Sequence, residues 1–359
     1  MEHRDAPLSQ GTAALYRSPD ASVWLLDVPR SIEEGQMKPG SGALTRRLVS
    51  VRPLSQAFAT PEPKDGDESQ GVLDPPAQFR ELMTIAAVES ALQLLQQQYS
   101  GPLCLPRCAS FGIGDDERIP EPAEAKRDEG SAEADIYIPE DSHHFTGTIQ
   151  ERRDDVISQS PEFDLILLDP PWPNRSARRK KGGYTTAYNA ESLRDLLSQI
   201  PIAAKLKTDG IVAVWVTNKP ALHDLLTSPR GIFAEWGVEL VDTWTWIKVT
   251  THGQPIFDLG STWRKPWEQL LIARRRGSQL GQPRGGRVIV AVPDIHSRKP
   301  CLRSLFQEFY PSGYTALEVF ARNVTAGWWA WGDEVLRFQA KEHWVDIPAD
   351  GTTSSAPAV

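Results

Sequence analysis

The chain has 359 residues, enough for one large domain or two smaller ones with a full hydrophobic core. Its longest apolar runs are strand-length, which excludes a helical membrane span, and its three cysteines (Cys104, Cys108, Cys301) form neither a disulfide framework nor a CxxC pair; they read as reduced thiols, with a zinc site on Cys104, Cys108, His143 and His144 as the minor alternative, and no metal is expected for the chemistry read below. The net charge of −8 argues against a nucleic-acid partner only until it is located: residues 114–141 hold eleven acidic and three basic residues, so the rest of the chain is balanced.

In chain order, residues 1–55 carry weak strand signals, among them the run at 22–27. No apolar signal core opens the chain, so an intracellular protein is expected. Residues 56–77 read as a linker, with Pro61, Pro63, Gly66, Pro75 and Pro76. Residues 78–99 predict a long helix, with Phe79, Leu82, Met83, Ala86, Leu92 and Leu95 near helical spacing. The acidic segment at 114–141, rich in Glu, Ala, Pro and Gly, reads as a flexible insertion.

From residue 136 onward, strand-like runs at 164–168, 211–216, 238–246, 269–273, 288–292 and 316–320 alternate with helix-like runs at 190–198, 220–226 and 299–309. That alternation predicts an α/β fold with a doubly wound, Rossmann-like sheet. The division expected is a less regular N-terminal region over 1–135, a catalytic domain over 136–346 and a disordered tail over 347–359. No G-x-x-x-x-G-K-[ST] phosphate loop occurs, and no G-x-G-x-x-G follows a strand, which argues against an NTPase and a nicotinamide enzyme.

The most informative residues close the run at 164–168: Asp169, Pro170, Pro171 and Trp172. A carboxylate at the carboxyl end of a buried strand sits where open α/β sheets place their ligands. Two prolines stiffen the turn and remove two backbone donors. Asp169 and the Pro170 carbonyl are then expected to form an acceptor-only clamp beside the aromatic face of Trp172. An exocyclic amine on a flat ring satisfies all three. The plainer alternative is a strand-end Asp capping a helix before a rigid Pro-Pro turn. Downstream, Arg178, Arg179, Lys180 and Lys181 suit phosphates, a nuclear-import patch or a solvated loop, and Tyr184 and Tyr188 suit base stacking.

Several blocks in order carry a family resemblance: 163–174, 214–219, 244–248, 264–268, 296–300, 317–323 and 327–334. They resemble the eukaryotic adenine-N6 methyltransferases with the D-P-P-W signature, related to the catalytic subunit of the messenger-RNA adenosine methyltransferase. Within them the likeness runs to the methyltransferase-like protein 4 branch. The usual glycine-rich donor loop is absent; in its place the run at 316–320 leads into Ala321, Arg322 and Asn323, after the D-P-P-W strand. Such a methyltransferase sheet is circularly permuted.

The resemblance implies S-adenosylmethionine as cofactor, with Asp169 and Pro170 holding the target amine, Pro171 stiffening the turn and Trp172 flanking the base. It places Lys299 at the donor's carboxylate, Arg322 and Asn323 at its ribose, and Asp333 and Glu334 near its nucleoside. Ile149 offers backbone groups to the donor. Asn174, Lys248 and Glu268 line the substrate side. Asn is usual in relatives where Asp333 stands, and an acid where Thr148 stands. The implied substrate is RNA, specifically small nuclear RNA at a 2′-O-methylated adenosine, with DNA as the alternative and a non-catalytic nucleic-acid-binding subunit as a third reading. A nuclear location, with some protein in the cytoplasm, is expected; no obligate protein partner and no membrane are implied. Trp328, Trp329 and Trp331 read as core rather than as a base platform.

Overall fold

The computed structural model describes residues 12–59, 74–111, 136–173, 190–261, 264–281 and 285–347. Near its start, β1 (Ala14–Arg17) and β2 (Val23–Leu26) form an antiparallel hairpin, followed by α1 (Val28–Gly35), β3 (Arg46–Val51), α2 (Pro75–Gln98) and β4 (Cys108–Phe111). Then come β5 (His143–Thr146), α3 (Ile149–Gln159), β6 (Phe163–Leu168), α4 (Ala190–Ser198), α5 (Ile202–Lys205), β7 (Leu206–Val216), α6 (Pro220–Thr227) and α7 (Ile232–Glu235). The chain continues through β8 (Val238–Lys248), β9 (Trp267–Arg275), β10 (Val288–Ala291), α8 (Arg303–Phe306), β11 (Ala316–Val319), β12 (Trp329–Gly332) and β13 (Trp344–Asp346).

Ten of these strands form one sheet in the order β1-β2-β10-β8-β9-β7-β6-β11-β12-β5, and β13-β3-β4 form a smaller one. β5, β12, β11, β6 and β7 run parallel, whereas β9 is inserted antiparallel between β7 and β8. The carboxyl ends of β5, β12, β11, β6, β7, β8 and β10 therefore share one edge with the amino end of β9. β6 reads as a continuous apolar run because both of its faces are covered. Ile166 and Leu168 pack under α3, α4, α6 and α7, while Leu165 and Leu167 face Trp215, Trp244 and the residues of α1 and α8. Phe163, Leu165, Ile166 and Leu168 are fully buried, each worth about 1.5–3 kcal/mol, which makes β6 the centre of the doubly wound sheet. Asp164 locks its start: the carboxylate takes the Lys207 ammonium at 2.8 Å and the Thr315 N–H at 2.8 Å, tying β6 to both neighbours.

Three expectations are revised. β2 pairs in parallel with β10, so the N-terminal hairpin belongs to the main sheet and a boundary at residue 135 does not divide it. The long helix is present, capped by Asp74 on the Ala77 amide at 2.7 Å, but of the residues at the expected spacing only Leu92 and Leu95 pack inward. Ala77, Thr84, Val88, Ala91 and Leu95 pack inward, whereas Phe79, Leu82 and Met83 are 65, 65 and 56% exposed. Small residues let the helix lie close over Val23, Leu25, Val288 and Val290, and closeness outweighs the bulk of the alternative face. The helix expected at 299–309 shrinks to α8 and flanking turns, because Pro300 disfavours helical backbone at Lys299.

Candidate functional site

β6 and β11 are adjacent although about 150 residues separate them, and from this pair the chain proceeds to β7 on one side and to β12 on the other. That makes β6–β11 a topological switch point, where open α/β sheets bind ligands beyond their carboxyl ends. Asp169 leaves β6 there, its amide donating to the Val319 carbonyl at 3.3 Å.

The turn after it is internally paired. Trp172 N–H donates to the Pro170 carbonyl at 2.8 Å, so that carbonyl is not the wholly open acceptor expected; one lone pair remains. The Trp172 indole N–H donates to the Trp215 carbonyl at 2.7 Å and its ring is only 9% exposed. This side chain first of all pins the turn to β7. Lys219 reaches across to the Pro173 carbonyl and holds the far end.

Side chains from four further segments converge on one face of this edge. Lys299 Nζ stands 3.2 Å from Asp169 Oδ2 and 3.1 Å from Glu268 Oε2, and Lys248 Nζ stands 2.5 Å from Glu268 Oε1. Charge thus alternates along Lys248, Glu268, Lys299 and Asp169, all four side chains between 16 and 22% exposed. The register explains the meeting: Trp246 lies opposite Glu268, so Lys248 and Glu268 share a face. Trp246 and Trp215 lie beneath, with the Lys248 and Lys299 ammonium groups 4.6 and 5.8 Å from their ring centres. Burial works against the Lys299 ammonium, but Asp169 and Glu268 outweigh it and hold its pKa above the ordinary lysine value. Burial likewise opposes the Glu268 charge, yet Lys248 and Lys299 hold its carboxyl well below the usual carboxylate range.

Glu318 on β11 completes the group. It pairs in register with Leu167, two residues before Asp169, so its side chain shares the Asp169 face on the neighbouring strand. It is half-buried and makes no hydrogen bond or ion pair among the described residues. Burial, with the charge of Asp169 added, pushes its carboxyl up to about 8. The folded chain therefore keeps a proton that the unfolded chain releases, and this site's share of stability is lost as pH rises from about 5 towards 8. Glu318→Gln should flatten that loss. Melting temperatures across this range test it; an unchanged pH dependence would mean that the carboxyl is solvated.

Beyond β11 lie the residues matched to the donor. Arg322 Nε is 3.5 Å from Glu334 Oε2, and Arg337 Nη1 is 2.9 Å from both Glu334 oxygens, so Glu334 sits between two guanidinium groups. Asn323 follows Arg322, and Asp333 precedes Glu334 with its Oδ1 3.2 Å from the Glu334 amide. Asp333 is exposed; partial desolvation, with Glu334 and Glu151 nearby, raises its carboxyl pKa. The Ile149 side chain is core, but its backbone opens α3, where Thr148 and Glu151 form a capping box. In place of a glycine-rich loop, Phe320 turns the chain with φ +61°, a strained choice worth about 1–3 kcal/mol. Its neighbour Ala321 lies so close to Gly332 that a Cβ there would meet the Ala321 carbonyl at 2.8 Å. Here it is the close approach that demands glycine.

The structure therefore brings Asp169, Lys248, Glu268 and Lys299 into direct contact, and gathers Arg322, Asn323, Asp333, Glu334 and Ile149 at the ends of three adjoining strands. Asn174, Arg178, Arg179, Lys180, Lys181 and Tyr184 lie outside the described residues. Sequence reasoning missed Glu318, Trp215 and Lys219. Each lies within a block that resembles the family, yet an acid or a tryptophan in a strand reads as edge or core until the register is known.

Residues 163–334 match the MT-A70 family. The chain is 48% identical to the N6-methyladenosine RNA methyltransferase MTA1 of Cryphonectria parasitica, over 96% of this chain and 98% of that protein. It is 47% identical to the MTA1 of Pyricularia oryzae, over 93% of this chain and 96% of that one. With the mouse N(6)-adenine-specific methyltransferase METTL4 it shares 32% identity over 54% of this chain and 41% of that protein. With a switch-point carboxylate, a permuted strand order and a relative matched almost end to end, the chain belongs to the MT-A70 family of N6-adenine methyltransferases.

Proposed function

We propose that this protein transfers a methyl group from S-adenosylmethionine to the N6 amine of adenine in RNA, with small nuclear RNA at a 2′-O-methylated adenosine as the finer target and the nucleus as its principal location. One observation carries the chemistry: Asp169 sits at the β6–β11 switch point between an ammonium, Lys299, and a carboxyl, Glu318, that is unpaired among the described residues. The RNA assignment is supported by the fungal relatives, whose names specify RNA and which align over nearly their whole length.

S-adenosylmethionine carries an electrophilic methyl group and net positive charge on its reacting end. The residues present suit it. Glu318 is a desolvated carboxyl that the positive charge of a bound donor would help to ionise, and Lys299 is a cation for a carboxylate. Arg322, Asn323, Asp333 and Glu334, with the backbone at Ile149, offer donors and acceptors to a ribose and a base. Asp169 accepts a hydrogen of the adenine amine, whose lone pair is otherwise delocalised into the ring; that contact strengthens as positive charge grows on nitrogen. The remaining Pro170 lone pair offers a second acceptor. The pinned turn, held by Trp172 on Trp215 and Lys219 on Pro173, keeps both in place, so positioning carries much of the acceleration. The amine's proton then leaves to Asp169 or to water. Because the base must reach this edge, it is taken unstacked or single-stranded. Arg178, Arg179, Lys180, Lys181 and Tyr184, which follow the turn in the chain, are proposed to meet phosphates and a neighbouring base, with Asn174, Lys248 and Glu268 on the substrate side.

The test is direct. Single-stranded RNA and DNA oligonucleotides of the same sequence are incubated with labelled S-adenosylmethionine, digested to nucleosides and analysed by mass spectrometry. N6-methyladenosine should form in RNA faster than its counterpart in DNA, and faster still with a 2′-O-methylated adenosine. Methylation of DNA alone would overturn the RNA assignment. Donor binding without turnover on any adenine would favour a binding subunit.

A further inference from the structure

A groove on the other face of the same edge lies outside the catalytic group. It runs between α2 and the start of α6 and is lined by Arg80, Thr84, Asn218, Lys219, His223 and Lys265, with the buried Trp267 forming part of its wall. Its volume is small, about 60 Å³, and it opens to solvent. Three features connect it to the site. Lys219 at its rim is the residue that grips the Pro173 carbonyl, so the groove begins where the Asp169–Pro173 turn ends. Asn218 Nδ2 donates to the Trp267 carbonyl at 2.5 Å, fastening the end of β7 to the start of β9. In β9 the side chains alternate: Glu268 points to the catalytic face, whereas Trp267 and Gln269 line the groove.

Its charge is mostly basic. Of the three permanent cations, Lys265 is neutralised by Glu81 on α2. Arg80 has Asp224 at 3.9 Å, too long for a hydrogen bond, and its side chain is 35% exposed. Lys219 is exposed at the rim. Burial and the nearby Arg80 lower the His223 pKa, so the imidazole is neutral and adds a hydrogen-bonding edge, not a charge. The Thr217 hydroxyl is buried, with no hydrogen-bond partner among the described residues. The result is a narrow track of net positive charge that leaves the target turn, bordered by one tryptophan.

We infer that this groove binds the sugar–phosphate backbone of the substrate strand next to the methylated base, with Arg80 of α2 as the principal phosphate contact. A polynucleotide held by one extruded base must continue past the turn on one side or the other, and here the turn hands over directly to a basic groove. Phosphate contacts position a strand without reading its sequence, which suits a helix outside the family-matched segment. The inference rests on the proposed polynucleotide substrate.

The experiment uses the full chain, single-stranded RNA oligonucleotides of about 4 and about 15 nucleotides with one adenine, and the variants Arg80→Ala and Arg80→Glu. Binding by fluorescence anisotropy should weaken about threefold for Arg80→Ala and about tenfold for Arg80→Glu on the longer RNA, with a salt slope shallower by about one. KM for the longer RNA should rise with kcat unchanged, while the short RNA and the donor bind as before. Gln96→Glu, on the exposed side of the same helix, serves as the control for added negative charge and should change nothing. If wild type methylates RNA and Arg80→Glu retains its affinity and salt slope, the groove assignment is overturned. An equal loss on short and long RNA would also overturn it, because Arg80 would then act through the catalytic pocket. If wild type methylates no polynucleotide, the proposed substrate itself is overturned and this inference with it.

Discussion

Replacing Asp169 by alanine should lower kcat by about two to three orders of magnitude while leaving the affinity for S-adenosylmethionine within a few-fold of wild type. The carboxylate is the one negative group at the end of β6, and the Pro170 carbonyl is already half-committed to the Trp172 amide. Nothing else on the turn can accept both a hydrogen bond and the charge that develops on the amine. Loss of a single preorganised electrostatic contact of this kind costs about 3–4 kcal/mol in the transition state. The turn itself survives, because Trp172 and Pro173 are held from β7 and from Lys219 and not by Asp169. Single-turnover methylation and calorimetric titration of the donor separate the two quantities. A variant with near-normal kcat would remove Asp169 from the chemistry; one that no longer binds the donor would make it part of the donor site instead.

Lys299→Met should have the second largest effect, and on stability as well as activity. Among the described residues Lys299 alone bridges Asp169 and Glu268; without it, two poorly solvated carboxylates share one cleft, with Lys248 the remaining described ammonium beside them. Breaking a largely buried ion pair from one side costs about 2–3 kcal/mol here, since the remaining charge is stranded and the side chains keep some exposure to water. Donor affinity should fall about tenfold or more, as expected if Lys299 also receives the donor carboxylate. Glu268→Gln in the same background should restore part of the lost stability, since it removes one stranded charge. A double-mutant cycle from chemical denaturation measures this; strictly additive losses would mean that the bridge contributes nothing.

What the sequence made legible was local. The run at 164–168 and the turn behind it carry their meaning in ten consecutive residues, and the strands β7, β8, β9, β10 and β11 appear at or within a few residues of their expected places. The permuted order was legible too, because it depends only on which motif comes first. What could not be read was pairing. Lys248, Glu268, Lys299 and Asp169 are far apart in sequence and meet only because β9 enters antiparallel between β7 and β8, an arrangement that no local pattern encodes. The inward face of α2 was legible only in part: Leu92 and Leu95 pack inward, but helical spacing alone did not show that Thr84, Val88 and Ala91 meet the sheet while Phe79, Leu82 and Met83 face out. Glu318 gave the least warning, since its significance lies in having no partner among the described residues.

The separation of β6 from β11 also has a consequence for how the protein is made. The amine-holding strand emerges from the ribosome about 150 residues before the strand that must lie beside it. At roughly 5–20 residues per second, that side of β6 has no native neighbour for on the order of ten to thirty seconds. A strand as apolar as Phe163–Leu168 is a ready template for unwanted pairing during that interval. The side of β6 that pairs with β11 therefore stays open to mispairing until the last third of the chain has been synthesised, and competence for methylation arrives only with that final segment.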